Sequence, residues 1–296
     1  MTSAVVRYAG IAVAVFGLVI SILLLPAAAH AQASPQEAGA QKPSPDIPTA
    51  STDPRELANQ VNNPAAPVTI LQFRNILLPD VAGTSGGTNA FEIQPVLPIG
   101  PFAAFPIVQL MKVTLAFNSL PQPVGISGVG DLQVFDLVTI KESWGRWGFG
   151  PALVFPTASD EALGQGKWQA GLAVALIYTR VKNLAVGAVW QNPFSYAGDS
   201  DRAGVNNLII TPTLTYTLEK GWFAGLSDFN WTFDWNDDGA ATLPIGLQVG
   251  RVFVLGKQDV SLSFEVGGAA AKPYSTPAPG WILGVEFTPI FKGHIK

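Results

Sequence analysis

The chain has 296 residues, with no cysteine, two histidines, 13% charged and 48% hydrophobic residues, and a formal charge of −4. The missing cysteines exclude a disulfide framework and a thiolate metal site, and an acidic chain without a concentrated basic surface excludes a nucleic-acid partner. Its mean hydropathy is +0.30, and soluble domains carry about 25% charged residues, so the chain either buries an unusual share of itself or turns part of its outside to lipid.

Residues 1–33 read as a secretory signal peptide. Arg7 supplies the positive n-region, an apolar run extends from about Ala9 to Leu25, and Ala31-Gln32-Ala33 is an A-x-A cleavage site. Ala29-His30-Ala31 offers a second frame, and an uncleaved anchor is the competing reading of the long apolar run. No later stretch approaches the roughly 18 consecutive apolar residues of a spanning helix, so further membrane embedding must use strands.

Residues 34–66 are rich in Pro, Ala, Gln and Ser and read as a flexible periplasmic tail. One short helix is expected in it. Asp53 can cap the free amides, Pro54 suits the first helical position, and Asn62, Asn63 and Pro64 stop the run. The tail is either a linker or a plug or docking segment.

From residue 67 to 296 the hydrophobic period becomes two. Leu208, Ile210, Leu214, Tyr216 and Leu218 alternate with Ile209, Thr211, Thr213, Thr215 and Thr217; Phe229, Trp231, Phe233 and Trp235 alternate with Asn230, Thr232, Asp234 and Asn236. Successive strand side chains point to opposite faces, so each run has an apolar and a polar side. Twelve strands follow, over 68–75, 89–99, 107–117, 129–140, 147–156, 168–180, 184–192, 206–218, 222–234, 242–254, 259–269 and 280–291. Connections after odd strands are long and polar or Gly/Pro-rich, whereas those after even strands are short. Short periplasmic turns and longer external loops are the rhythm of an outer-membrane barrel. The expected fold is therefore all-β: a transmembrane antiparallel up-and-down β-barrel of about twelve strands. An open sheet would leave edge amides unpaired in hydrocarbon at several kcal/mol each, so the ring must close. A soluble β-sandwich is the rival fold.

Aromatic residues near strand ends are candidates for membrane-interface belts: Trp147, Trp168, Tyr178, Trp190, Tyr216, Trp222, Trp235 and Trp281. The polar faces of the strands supply lumen-lining candidates: Arg74, Glu92, Gln94, Asp228, Asn230, Asp234, Gln248, Glu265 and Glu286. Either they line a solute path, or Arg74 and the carboxylates pair across a filled interior.

Catalysis by a Ser-His-Asp type of arrangement needs a histidine, but His30 lies in the signal region and His294 in the last three residues. The expectation is that the chain is not an enzyme and holds no cofactor. Asp234-Trp235-Asn236-Asp237-Asp238-Gly239 fits the first half of a calcium loop, but position twelve is Ile245 and a strand follows. A polar hairpin tip is the plainer reading, and no metal is expected.

Several motifs carry a family resemblance: Glu56-Leu57-Ala58, Asn63-Pro64, Gln94-Pro95-Val96-Leu97-Pro98, Gly128-Val129-Gly130-Asp131-Leu132, Gly150-Pro151, Pro156-Thr157-Ala158 and Leu163-Gly164-Gln165-Gly166-Lys167-Trp168. Through these the chain resembles a family of outer-membrane transporters associated with the meta pathway of phenol degradation, over about Pro54 to Phe291. The resemblance implies an outer-membrane barrel passing aromatic or other hydrophobic compounds, and brings no catalytic residues. Chains of that kind commonly finish on an aromatic residue, whereas Phe291 is followed here by Lys-Gly-His-Ile-Lys.

The expected function is a passive, porin-like channel or transporter for small solutes in the bacterial outer membrane. The alternative is a structural or interaction barrel with a closed lumen whose loops or tail bind a partner. Expected partners are outer-membrane lipid, the barrel assembly machinery during biogenesis, and a small-molecule solute.

Overall fold

The computed structural model of the protein describes residues 50–81, 84–102, 107–271 and 280–291; the signal peptide and residues 34–49 lie outside them. One helix, α1 (Pro54–Val61), precedes the sheet. The strands are β1 (Thr69–Leu78), β2 (Thr88–Ile99), β3 (Gln109–Ser119), β4 (Ser127–Val129), β5 (Leu132–Glu142), β6 (Gly145–Phe155) and β7 (Lys167–Tyr178). They continue with β8 (Leu184–Gly198), β9 (Asn207–Thr217), β10 (Trp222–Leu226), β11 (Trp231–Asp234), β12 (Ala240–Leu255), β13 (Gln258–Ala271) and β14 (Ile282–Phe291). Two of the staves are split: β4 and β5 both pair β3, and β10 and β11 both lie between β9 and β12. The fourteen strands therefore make a closed antiparallel barrel of 12 staves. Closure is made by β1 on β14, from Thr69 opposite Phe291 to Leu77 opposite Leu283.

Alternation sorts the side chains. In β7, Ala173, Ala175 and Ile177 are fully buried, whereas Leu172 is 57% and Leu176 44% exposed. On the far wall Leu247, Val249, Phe264 and Val266 are likewise exposed. The buried set points inward and the exposed apolar set outward, the reverse of a water-soluble sandwich. Among the described residues no helix is long and apolar enough to cross a membrane.

The connections alternate in length with two exceptions. The turns 143–144 and 256–257 are tight, while 156–166 is long. However, 100–108 is as long as 79–87, and 235–239 is as short as 179–183. The last is the calcium-like segment. Gly239 donates its amide to the Asp234 carbonyl at 2.8 Å, Asp234 Oδ1 accepts from the Asn236 amide, and Asp238 and Gly239 have φ of 47° and 76°. This is a compact hairpin tip, which needs left-handed residues where Asp-Gly supplies them.

Six of the eight candidate belt aromatics are exposed: Trp168, Tyr178, Tyr216, Trp222, Trp235 and Trp281. Tyr178, Tyr216 and Trp222 lie at the short-turn end and Trp168, Trp235 and Trp281 at the other. Trp147 is partly buried near the short-turn end and stacks on Phe149 with centroids 6.0 Å apart. Trp190 is a correction: it lies in mid-stave, opposite Val174 and Ile210. The strand expected to end at 192 runs on through Pro193 to Gly198, and Phe194 and Tyr196 are the exposed rings toward that end.

Helix α1 forms where its caps predict, with Asp53 Oδ1 accepting the Arg55 amide at 3.1 Å and Pro54 in the first turn. It lies inside the short-turn end of the barrel. Leu57 and Ala58 are buried against the inward residues Ile70, Val96, Leu110, Phe223, Val252 and Ile290. A few residues on, Ala65 is buried against the opposite wall, among Leu137, Ala152, Ala173, Ala175, Ile177 and Val189. The segment thus crosses the mouth from wall to wall. Small residues on β6, β7 and β8 leave the space it occupies, because a close-packed interior has no room for both a plug and large wall side chains.

Leu57→Ala should weaken this docking by about 2–5 kcal/mol, the range for truncating a buried leucine. The expected outcome is faster protease cleavage between residues 50 and 66 in the folded barrel, while the heat-modifiable gel shift of the barrel is retained.

Candidate functional site

Above the plug lies a chamber of about 380 Å³. Its floor is the plug from Gln60 to Pro64, and its walls include Ile76, Leu78, Phe135 and Phe229. Eight of the nine lumen candidates border it: Arg74, Glu92, Gln94, Asp228, Asn230, Gln248, Glu265 and Glu286. The ninth, Asp234, does not; it is used by the hairpin tip described above. Its place in a period-two run gave the correct face but not the height along the barrel.

Arg74 on β1 is the centre of the cluster. Glu92 on β2 and Glu286 on β14 are its Cα partners on the two sides. Its guanidinium bonds Glu265 Oε2 at 2.8 Å and also pairs with Asp228. The Glu265 pair crosses a stave, since Glu265 lies on β13 opposite Gly284. A Cβ at Gly284 would sit 2.4 Å from Glu265 Oε2, so glycine is what lets the carboxylate lie over β14 toward Arg74. The Arg74 side chain is only 8% exposed, and a charge so placed is tolerated because two carboxylates neutralise it.

Asp228 reaches Arg74 because the stave formed by β10 and β11 breaks between them. Residues 227–230 leave the ladder and turn into the lumen, burying Phe229 under the Arg74 guanidinium at 5.6 Å from the ring centroid. The break would orphan backbone groups on both neighbours, an expensive condition in apolar surroundings. Side chains and prolines compensate. Pro212 on β9 and Pro244 on β12 face the gap and have no amide to lose. The Trp231 indole donates to the Pro244 carbonyl at 2.9 Å, and the Gln248 amide to the Leu226 carbonyl at 2.8 Å. Asn230 Oδ1 accepts from the Thr211 hydroxyl at 2.6 Å.

The remaining carboxylates have neutral partners. Gln94 donates to Glu92 Oε2 at 2.6 Å, and Gln72 and Thr288 donate to Glu286 Oε1 at 3.0 and 2.8 Å. Lys112 on β3 also borders the chamber and is absent from the candidates read off the sequence. The alternation Leu110, Lys112, Thr114, Ala116 carried that signal. Four carboxylates thus face one arginine and one lysine, with aromatic and aliphatic wall between them. Among the described residues no group of histidines and carboxylates could hold a metal ion.

No family model and no curated protein matches the chain. Solved structures do. An outer-membrane channel from Pseudomonas putida F1 superimposes with a TM-score of 0.54 at 16% identity, over 76% of this chain and 94% of that one. Outer membrane phospholipase A from Escherichia coli gives 0.43 at 12% identity, over 77% and 91%. The calcium-bound phospholipase dimer from Salmonella typhi gives 0.40 at 14%, over 77% and 92%. The first likeness identifies the fold as that of an outer-membrane barrel. The expectation that the chain is not an enzyme is corrected here: the barrels it matches include an enzyme, the outer membrane phospholipase, at 12–14% identity. Those distant likenesses carry no catalytic residue over to this chain.

Arg74→Met removes the cation and leaves Asp228 and Glu265 uncompensated. The expected cost is about 3–5 kcal/mol, as for breaking a buried ion pair on one side, read as a lower unfolding midpoint in detergent. Adding Asp228→Asn and Glu265→Gln to the same chain should restore most of it.

Proposed function

We propose that the chain is a channel of the bacterial outer membrane that passes small, partly apolar organic solutes through its lumen. The observation that carries the reading is the chamber itself. Its volume of about 380 Å³ falls in the range of small-molecule sites, and its mixture of aromatic and aliphatic wall with a few fixed polar groups is the lining such sites use. The outward apolar surface and the exposed aromatic rings toward both barrel ends support placement in a bilayer. The sequence resemblance to transporters associated with phenol degradation supports an aromatic solute.

The closed-lumen alternative draws support from α1, which lies across one mouth. The two readings separate in a reconstitution experiment. The full chain in planar bilayers should give discrete conductance steps, and liposomes carrying it should swell faster in a small aromatic alcohol than in a sugar. A chain silent in both assays, and still silent after deletion of residues 50–66, would favour a closed barrel.

The excess of carboxylates in the chamber should bias the current. Replacing Glu92 and Glu286 together with glutamine is expected to move the reversal potential, under a potassium chloride gradient, toward anion permeation relative to the unmodified chain.

A further inference from the structure

A route through the barrel must pass the plug, and the plug is not sealed equally on all sides. Toward β1, β2, β10, β12 and β14 it is closed by Leu57 and Ala58 packed on Ile70, Val96, Phe223, Val252 and Ile290. Along another edge two cavities lie on either side of the same few residues. The chamber of about 380 Å³ lies on the lumenal side, and a crevice of about 470 Å³ lies on the short-turn side. Gln60, Asn63, Ala66 and Val68 line both. The crevice continues to Arg146 and to Lys141, Glu142 and Lys182, which are exposed on the rim.

The chemistry of this seam is specific. Gln60 Oε1 accepts the Ser51 amide at 2.9 Å, and Asn63 Oδ1 accepts the Ala65 amide at 3.0 Å. Each carboxamide oxygen is thus engaged by a backbone amide and its orientation set, and each side chain keeps its NH₂ group as a donor. Apolar neighbours complete the seam: Val68, which is itself part of the buried cluster around Leu57 and Ala58, and Ala66, which packs against that cluster.

Resting on the channel reading, we infer that solutes cross the plug along its Gln60–Asn63–Ala66 edge. Gln60 and Asn63 form the restriction there, donating hydrogen bonds to solutes that carry an acceptor oxygen. Beyond it, Arg146 and Lys182 face the solute as it leaves for the rim. The plug then remains docked during passage, and the restriction, not the chamber, sets the size limit.

The full chain contains no cysteine, so single thiols report access directly. Asn63→Cys should react with a small anionic thiol reagent at least tenfold faster than Ala58→Cys, both in folded barrel verified by heat-modifiable migration. Equal rates would overturn the route whether or not the barrel conducts. In planar bilayers Asn63→Trp should cut the unitary conductance severalfold and Gln60→Ala should raise it, while Lys257→Trp, a control in another turn, leaves it unchanged. A conducting barrel indifferent to both Asn63→Trp and Gln60→Ala would overturn the inference and leave the channel reading standing. If every variant is silent but Asn63→Cys is labelled selectively, the seam stands and conduction fails.

Discussion

Backbone hydrogen bonding is the constraint on which the other features depend. A chain whose outer face carries Leu172, Leu176, Leu247, Val249 and Phe264 in the open gains little from hiding them from water if hydrocarbon surrounds it. What hydrocarbon does not tolerate is a free amide or carbonyl. The ring answers by pairing β1 with β14, which removes both edges at once. The same requirement explains why the one stave that breaks deeply does so opposite two prolines, with Trp231 and Gln248 reaching carbonyls that the ladder releases. A break without those substitutes would leave the same kind of orphan groups that closure removes.

Inside, the constraint is volume. Alanine and glycine on β6, β7 and β8 look, in isolation, like the lining of an open pore. In the folded chain Ala152, Ala173 and Ala175 are fully or almost fully buried by Ala65 and their neighbours. Small wall residues here are the complement of an inserted segment. On the opposite side larger residues, Ile70, Leu110 and Phe223, meet the small Ala58. The barrel thus grades its wall from bulky to small around the mouth, and the plug lies in the space that this gradient leaves.

Much of the architecture was legible because it obeys a period of two. Twelve staves, their approximate limits and the closure follow from alternation and from the cost of unpaired amides. Eight of the nine lumen candidates share one chamber for the same reason: parity assigns a face without knowledge of the fold. Parity says nothing about height, which is why Asp234 fell at a hairpin tip and Trp190 in mid-stave. Lys112 escaped because the residues on either side of its strand alternate less regularly than those of the later strands. The break at 227–230 escaped because its inward turn keeps the polar and apolar residues in an order that a straight strand would also show. The helix was visible in its caps, Asp53 and Pro54, but its place in the mouth depends on contacts with residues as distant in sequence as Val252 and Ile290, which no local pattern encodes.

The break, the arginine and the plug restrict one lumen at two heights. Arg74 holds residues 227–230 inward across the chamber, drawing Asp228 and Phe229 from their own stave toward β1. The plug narrows the mouth below. Because a guanidinium in this setting is stable only while its carboxylates remain close, the upper constriction is held by charge pairing. The lower one is held by apolar contact, through Leu57 and Ala58. The two constrictions therefore answer to different forces. Neutralising substitutions act on the first, and side-chain truncation acts on the second. On the proposed channel reading, a solute would meet a charged constriction and a steric one at different heights, so charge and size would be discriminated at separate places in a single small barrel.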